Sequence, residues 1–369
     1  MHCKIGSPVT GTNYYSRPDV EQDLAGALSS GHTALLAPRR TGKTSMLMHV
    51  RDQAEPDVSV FYLNLEAYVT AQEWVQAMLT EVTQAGWFSS MLSPLKRIES
   101  FKLLGNEVKI KAEHWKTAAN TLIRAINGAD RRVIFLLDEF PILIKNMAER
   151  GENVGELLHW FRVCRQTQTQ QVTFLVTGSI GLGEVVRRLG LLETINDFNT
   201  IDFLPFTDAQ ALDFINTLAG DNNLLLPLPI QQRMLALVGC AWPYFLQIFV
   251  NEIQRWQRRE GKRVDLSSVE VIYRQRLLSG QRNHYLSHML DRLSKIFEPE
   301  AQQLARTLLK TCAQHPEGLP GNADRGCTES LHYVLRVLQH DGYLRFCVDN
   351  RRYYFFSNML RDYWRVWGC

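Results

Sequence analysis

Residues 33–50 read TALLAPRRTGKTSMLMHV, an apolar run, a loop holding Gly-Lys-Thr, and a segment of helical period, with no spacer between them. A strand that turns straight into a helix must cross over before it can pair again, and repeated units of that kind build a parallel sheet layered with helices. The first half repeats the alternation. Strands are expected at Thr33 to Leu36, Val58 to Asn64, Val133 to Leu137, Val172 to Thr177 and Thr200 to Phe203, and helices near 43–54, 71–86, 113–127 and 153–168. Few polar residues interrupt the strands, as burial on both faces requires. Leu92 to Lys111 reads equally as a helix followed by a short strand.

After Pro205 the strand signal stops, and helical periods run near 207–219, 228–238, 243–260 and 266–278. From about 284 helices are followed by Asp341-Gly342 and by two aromatic runs, YLRFCV and RYYFFS, separated by Asp349-Asn350. Asp-Asn tolerates positive φ and marks a hairpin. Helices followed by a hairpin describe a winged helix-turn-helix. The expected organisation is an α/β domain over 1–205, a helical domain over 206–283 and a winged helix over 284–369.

At 369 residues, 45% hydrophobic and 21% charged, the chain has ample material for real cores, which excludes general disorder. Neither a bilayer-spanning apolar run of roughly 18 residues nor a signal-peptide stretch at MHCKIGSPVTG is present in the sequence, so a cytoplasmic protein is expected. Net charge is only +3, and the 7 cysteines are scattered without a CxxC pair, which indicates neither a thiolate metal site nor a disulfide framework.

The loop itself carries chemistry. Backbone N–H groups at a helix N-terminus wrap a polyphosphate, with a lysine at the β and γ phosphates and a hydroxyl on Mg²⁺. Pro38, Arg39, Arg40, Thr41, Gly42, Lys43, Thr44 and Ser45 are the candidate phosphate-binding residues, although Ala37 stands where the Walker A pattern opens with Gly. The second half of such a site is VIFLLDEF at 133–140, an apolar strand ending in two acids. Asp138 is the candidate Mg²⁺ carboxylate beside Thr44, and Glu139 the candidate group that polarises water, as in a Walker B strand.

Taken with FLVTGSIGL at 174–182, INDFNTIDFLPF at 195–206 and DGYLRF…YYFFSNMLRDYW near the C-terminus, these motifs resemble the AAA+-like P-loop ATPases of the STAND class. The resemblance implies an additional-strand ATPase domain, a helical lid and a winged helix, acting as an ATP/ADP-dependent switch that self-associates or engages a protein partner. It also implies roles for residues. In NYYSRPDVEQDL at 13–24, Tyr15 and Arg17 match a segment that lies against adenine and ribose, though Ser16 as N-cap before Pro18 explains the same stretch as a helix start. Ser179 matches the polar sensor of the γ-phosphate, and Pro243 in AWPYFLQ matches a lid proline, with Ala241 in place of Gly. Arg187 and Arg188 make no convincing arginine finger.

DNA enters through a rival resemblance, to origin-recognition or transposition-associated ATPases; another reading makes the nucleotide structural in a partner-binding module. Residues 298–369 hold nine Lys or Arg and eight Asp or Glu, a near-neutral balance that argues against strong phosphate neutralisation. His284, His288 and Asp291 share a helical face without a further ligand to complete a metal site.

Overall fold

The computed structural model describes residues 1–91, 102–104, 107–167, 171–179, 181–279, 284–321 and 329–368. The chain divides into an α/β unit, Ser16–Ala37 with Lys43–Phe203, and a mainly helical unit, Met1–Tyr15 with Pro38–Gly42 and Leu204–Cys369.

In chain order the α/β unit comprises α1 (Pro18–Ser30), β1 (Thr33–Leu36), α2 (Lys43–Asp52), β2 (Val58–Asn64), α3 (Ala71–Gln84), β3 (Lys102–Leu104), β4 (Glu107–Lys109), α4 (Trp115–Asn127), β5 (Arg132–Asp138), α5 (Phe140–Glu149), α6 (Val154–Thr167), β6 (Val172–Gly178), α7 (Leu182–Arg188) and β7 (Asn199–Thr200). Its five-stranded sheet has the order β2-β5-β6-β1-β7, with every pairing parallel. The loop-bearing strand β1 and the acid-bearing strand β5 are thus separated by an inserted strand, β6. From Val133 to Asp138 every residue of β5 is buried, and β6 is buried throughout. Phe135 stacks on Phe174 at 5.7 Å, and Phe161 meets Phe174 edge-on at 4.9 Å.

Several expectations are corrected. The helix start near 16 is capped by Arg17 rather than Ser16, whose hydroxyl donates to Glu21 at 3.0 Å while the Arg17 amide donates to the same carboxylate at 2.7 Å. The strand expected at Thr200 to Phe203 is reduced to Asn199–Thr200, because only Thr33 and Ala34 of β1 pair with it. Helix α5 begins one residue after Glu139, where no turn residue announces it; Pro141 in its first turn suits a helix start. In Leu92 to Lys111 the described parts include the antiparallel pair β3 and β4, and residues 92–101 and 105–106 lie outside the described residues.

The helical unit comprises α8 (Asp208–Asp221), α9 (Leu228–Val238), α10 (Pro243–Glu260), α11 (Leu266–Ile272) with a π turn at Tyr273–Leu277, α12 (His284–Ile296), α13 (Pro299–Gln314), β8 (Leu319–Pro320), α14 (Glu329–His340), β9 (Leu344–Cys347), β10 (Arg352–Phe355) and α15 (Asn358–Trp367). Helices α9 and α10 end at Gly239 (φ 69°) and Gly261 (φ 66°), the left-handed exit that glycine makes without a Cβ penalty. Strands β8, β10 and β9 form an antiparallel sheet in that order. Within the β9–β10 connection the left-handed residue is Arg351 (φ 52°), not Asp349 or Asn350. The four-residue loop implied by the Cys347–Arg352 pairing therefore turns on its last member.

One apolar cluster of this unit gathers α8 to α11, among them Phe214, Phe249 and Ile253, with Met359 and Tyr363 from α15. A second gathers α12 to α14 around Leu309, Leu338, Tyr343 and Trp364. Among the described residues no helix is long and apolar enough to cross a membrane, and no three His, Cys, Asp or Glu side chains form a metal-binding group.

Candidate nucleotide and metal site

Sheet register decides which side chains meet in the α/β unit. Strand β5 ends one step beyond its Leu137–Val176 pairing, so Asp138 stands level with Thr177 of β6, and it is opposite Asn64 of β2. Tyr62 lies two residues before Asn64 and so shares its face of the sheet. Helix α2 brings Thr44. The result is a carboxylate, only 2% exposed, whose two oxygens are both engaged. Oδ2 accepts from the Thr44 hydroxyl at 2.8 Å and from the Tyr62 phenol at 3.0 Å. Oδ1 accepts from the Thr177 hydroxyl and from the Glu139 amide, the latter at 3.1 Å. Burial, and then the neighbouring Asp138 charge, push the Tyr62 phenol well above its ordinary range, which keeps it a protonated donor.

Lys43 is buried, and its Nζ donates to the Ala37 carbonyl at 2.6 Å. Glu139 adopts left-handed backbone (φ 56°), which costs a non-glycine residue roughly 1–2 kcal/mol. That conformation turns its carboxylate to Ser179, whose amide and hydroxyl both donate to Oε2, at 3.1 and 2.9 Å. Lys43, Thr44, Asp138, Glu139 and Ser179 thus lie in one unit. The sequence reads Thr177 only as the start of the strand-closing stretch that ends at Ser179, and Tyr62 not as a site residue, since nothing short of the register places them beside Asp138. Arg17 in the same unit holds its guanidinium 4.6 Å from the Phe203 ring centroid.

Ser45, in the first turn of α2, and Arg187, in α7, also belong to the α/β unit, and the other candidates lie in the helical unit. Gly42 has φ 106°, and an added Cβ would meet nothing within 4 Å, so glycine is demanded there by backbone conformation and not by space. The Thr41 hydroxyl donates to the Pro38 carbonyl at 2.9 Å, closing the turn of the loop. Arg40, also left-handed (φ 63°), lays its guanidinium 4.3 Å from the Tyr244 ring centroid and donates to that residue's hydroxyl. Burial, with the adjacent Arg39 charge, lowers the Arg40 pKa to about 10. Tyr15 packs edge-on against Phe206 and Phe214, its hydroxyl 2.7 Å from an Asp213 carboxylate oxygen. Pro243 occupies the first position of α10. Arg187 is half exposed and faces Glu184 of its own helix at 3.6 Å.

The Asp138 carboxylate and the Thr44 hydroxyl are hard oxygens within hydrogen-bond distance of one another, a set that suits Mg²⁺. No protein-family model matches the chain, and no curated protein matches it. Among solved structures it is similar to a Walker-type ATPase of Pyrococcus abyssi, with TM-score 0.65 and 16% identity over 98% of this chain and 99% of that one. It is also similar to the ORC2 protein of Aeropyrum pernix in its ADP form, with TM-score 0.51 and 11% identity over 97% of this chain and 95% of that one. For the same protein with ADPNP and ADP the values are 0.53 and 10%, over 94% and 91%. The parallel sheet, its inserted strand and these likenesses give the chain the α/β fold of the P-loop NTPases.

Proposed function

We propose that the chain binds ATP with Mg²⁺, hydrolyses it slowly, and uses the difference between its ATP and ADP forms to switch conformation, assembly or partner binding, as an AAA+-type ATPase of the STAND class. The observation that carries this reading is the 2.8 Å contact between Thr44 and Asp138, residues 94 apart in sequence, at the start of a helix that opens with a buried lysine. Mg²⁺ held by Thr44 and Asp138 would offset charge on the β and γ phosphates. Lys43 supplies a fixed cation to the same oxygens, and the first-turn amides of α2 supply donors. Glu139 orients and polarises the attacking water; Ser179, already bonded to Glu139, senses the γ-phosphate.

On this reading residues 1–205 form the ATPase domain, 206–283 the lid that Pro243 couples to nucleotide, and 284–369 a winged helix, with Tyr15 and Arg17 toward the base and ribose. The β9–β10 hairpin following α14 supports the winged-helix assignment. The partner is a protein or a second copy of the chain, in the cytoplasm.

Lys43→Ala and Asp138→Ala should each abolish ATP turnover, because one deletes the cation that offsets the triphosphate and the other the carboxylate for its metal. Undiminished Mg²⁺-dependent hydrolysis in both variants would remove the site from consideration. A second reading, in which the winged helix binds duplex DNA, draws support from the hairpin, where Arg345 and Arg351 are exposed. Steep loss of DNA binding with rising salt would favour it.

A further inference from the structure

Asp138 accepts four hydrogen bonds, from Thr44 and Tyr62 on Oδ2 and from Thr177 and Glu139 on Oδ1. A carboxylate offers about four lone-pair positions, so this one is saturated. A divalent cation, or water bound to it, reaches Asp138 only if a donor turns away. Thr177 and the Glu139 amide hold Oδ1, away from the Thr44 contact. The Thr44 hydroxyl, on the first turn of α2 and itself a metal donor on the reading above, is the one that can rotate off Oδ2. Once it does, Tyr62 is the remaining donor to that oxygen.

Taking that functional reading as its basis, we propose that Tyr62 is a positioning residue for the divalent cation: its phenol holds the Asp138 carboxylate at a fixed angle while Thr44 exchanges its hydrogen bond for the metal. The ring suits the task. It rises from β2 on the face that Asp138 shares, it is partly buried, and it has only two torsions to freeze, so the hydroxyl arrives already oriented. Without the phenol hydroxyl, Oδ2 would have no second donor among the described residues as Thr44 leaves, and the carboxylate would be restrained through Oδ1. Groups that orient a ligating carboxylate typically change metal affinity by 10- to 100-fold when removed.

The test compares wild type with Tyr62→Phe, which keeps the ring packing, using a fluorescent ATP analogue titrated at a series of MgCl₂ concentrations and again in EDTA. The Mg²⁺ concentration for half-maximal nucleotide binding should rise about 10-fold, with the EDTA affinity within about 2-fold of wild type. An unchanged Mg²⁺ requirement overturns the assignment and leaves the nucleotide site standing. Equal losses with and without Mg²⁺, together with a lowered melting temperature, assign the phenol to folding and also overturn it. A wild type that binds no nucleotide defeats both readings together.

Discussion

Glu139 is held by two forces of different kinds. Its backbone sits in the left-handed region, where a side chain is uncommon and costs stability, and its carboxylate is drawn to the amide and hydroxyl of Ser179. Strain of this sort persists only where surrounding contacts over-determine it, and here the Glu139 carbonyl also accepts from Ile142 at 2.9 Å as α5 begins. The arrangement keeps the acid beside Asp138 but off that carboxylate, whose oxygens are filled by other donors. A role in orienting water, with no share in holding metal, therefore predicts a clean separation: Glu139→Gln should keep ATP affinity near wild type while turnover falls by about 10² or more. Equilibrium binding and single-turnover hydrolysis on the same variant measure the two halves. Joint loss would place Glu139 in the metal shell or in folding.

Among the elements, those bounded by strong local chemistry were legible in the sequence. Strand β1 ends just before Ala37-Pro38 and β2 ends on the polar Asn64, and α9 and α10 run between a proline start and a glycine stop. Elements governed by tertiary pairing were less so: β7 ends where β1 offers no further partner, and α5 follows β5 after a single left-handed residue, Glu139, that carries no turn signal in the sequence. The candidate site divides the same way. Lys43, Thr44, Asp138 and Glu139 announce themselves by spacing, whereas Tyr62 and Thr177 depend on the register of β2, β5 and β6, which no local pattern encodes. One further element-level device was also hidden. Asp341, the first residue after α14 and 2% exposed, forms a bidentate pair with Arg292 of α12, at 2.6 and 2.7 Å. Breaking a buried pair from one side strands the other charge. Arg292→Ala should cost about 3–5 kcal/mol in denaturant unfolding, and Arg292→Met with Asp341→Leu should recover more than half of that loss. Equal destabilisation by the single and double variants would show that the pair's hydrogen bonds, and not the stranded charge, dominate.

For the whole molecule, the charge available near the transferred phosphoryl sets the tempo. A well-placed arginine contributes about 10³ to 10⁵ in rate, and P-loop enzymes lacking one idle near ~10⁻⁴ to 10⁻² s⁻¹. The arginines that follow β6 sit in the last turn of α7, where cations favour the helix dipole, and Arg187 already faces Glu184 of the same helix. Among the described residues its ion-pair partner is Glu184. An isolated copy should therefore turn over well below ~1 s⁻¹, long enough for an ATP-loaded state to be read by a partner. A second copy, or a partner that contributed an arginine, would raise that rate. Turnover per chain measured across a wide range of protein concentration separates the cases: a low, flat profile marks a switch awaiting a different partner, and a rise with concentration that Arg187→Ala abolishes marks self-assembly. Fast turnover at the lowest concentration would defeat the switch reading, because a state lost in less than a second without a partner reports little to one.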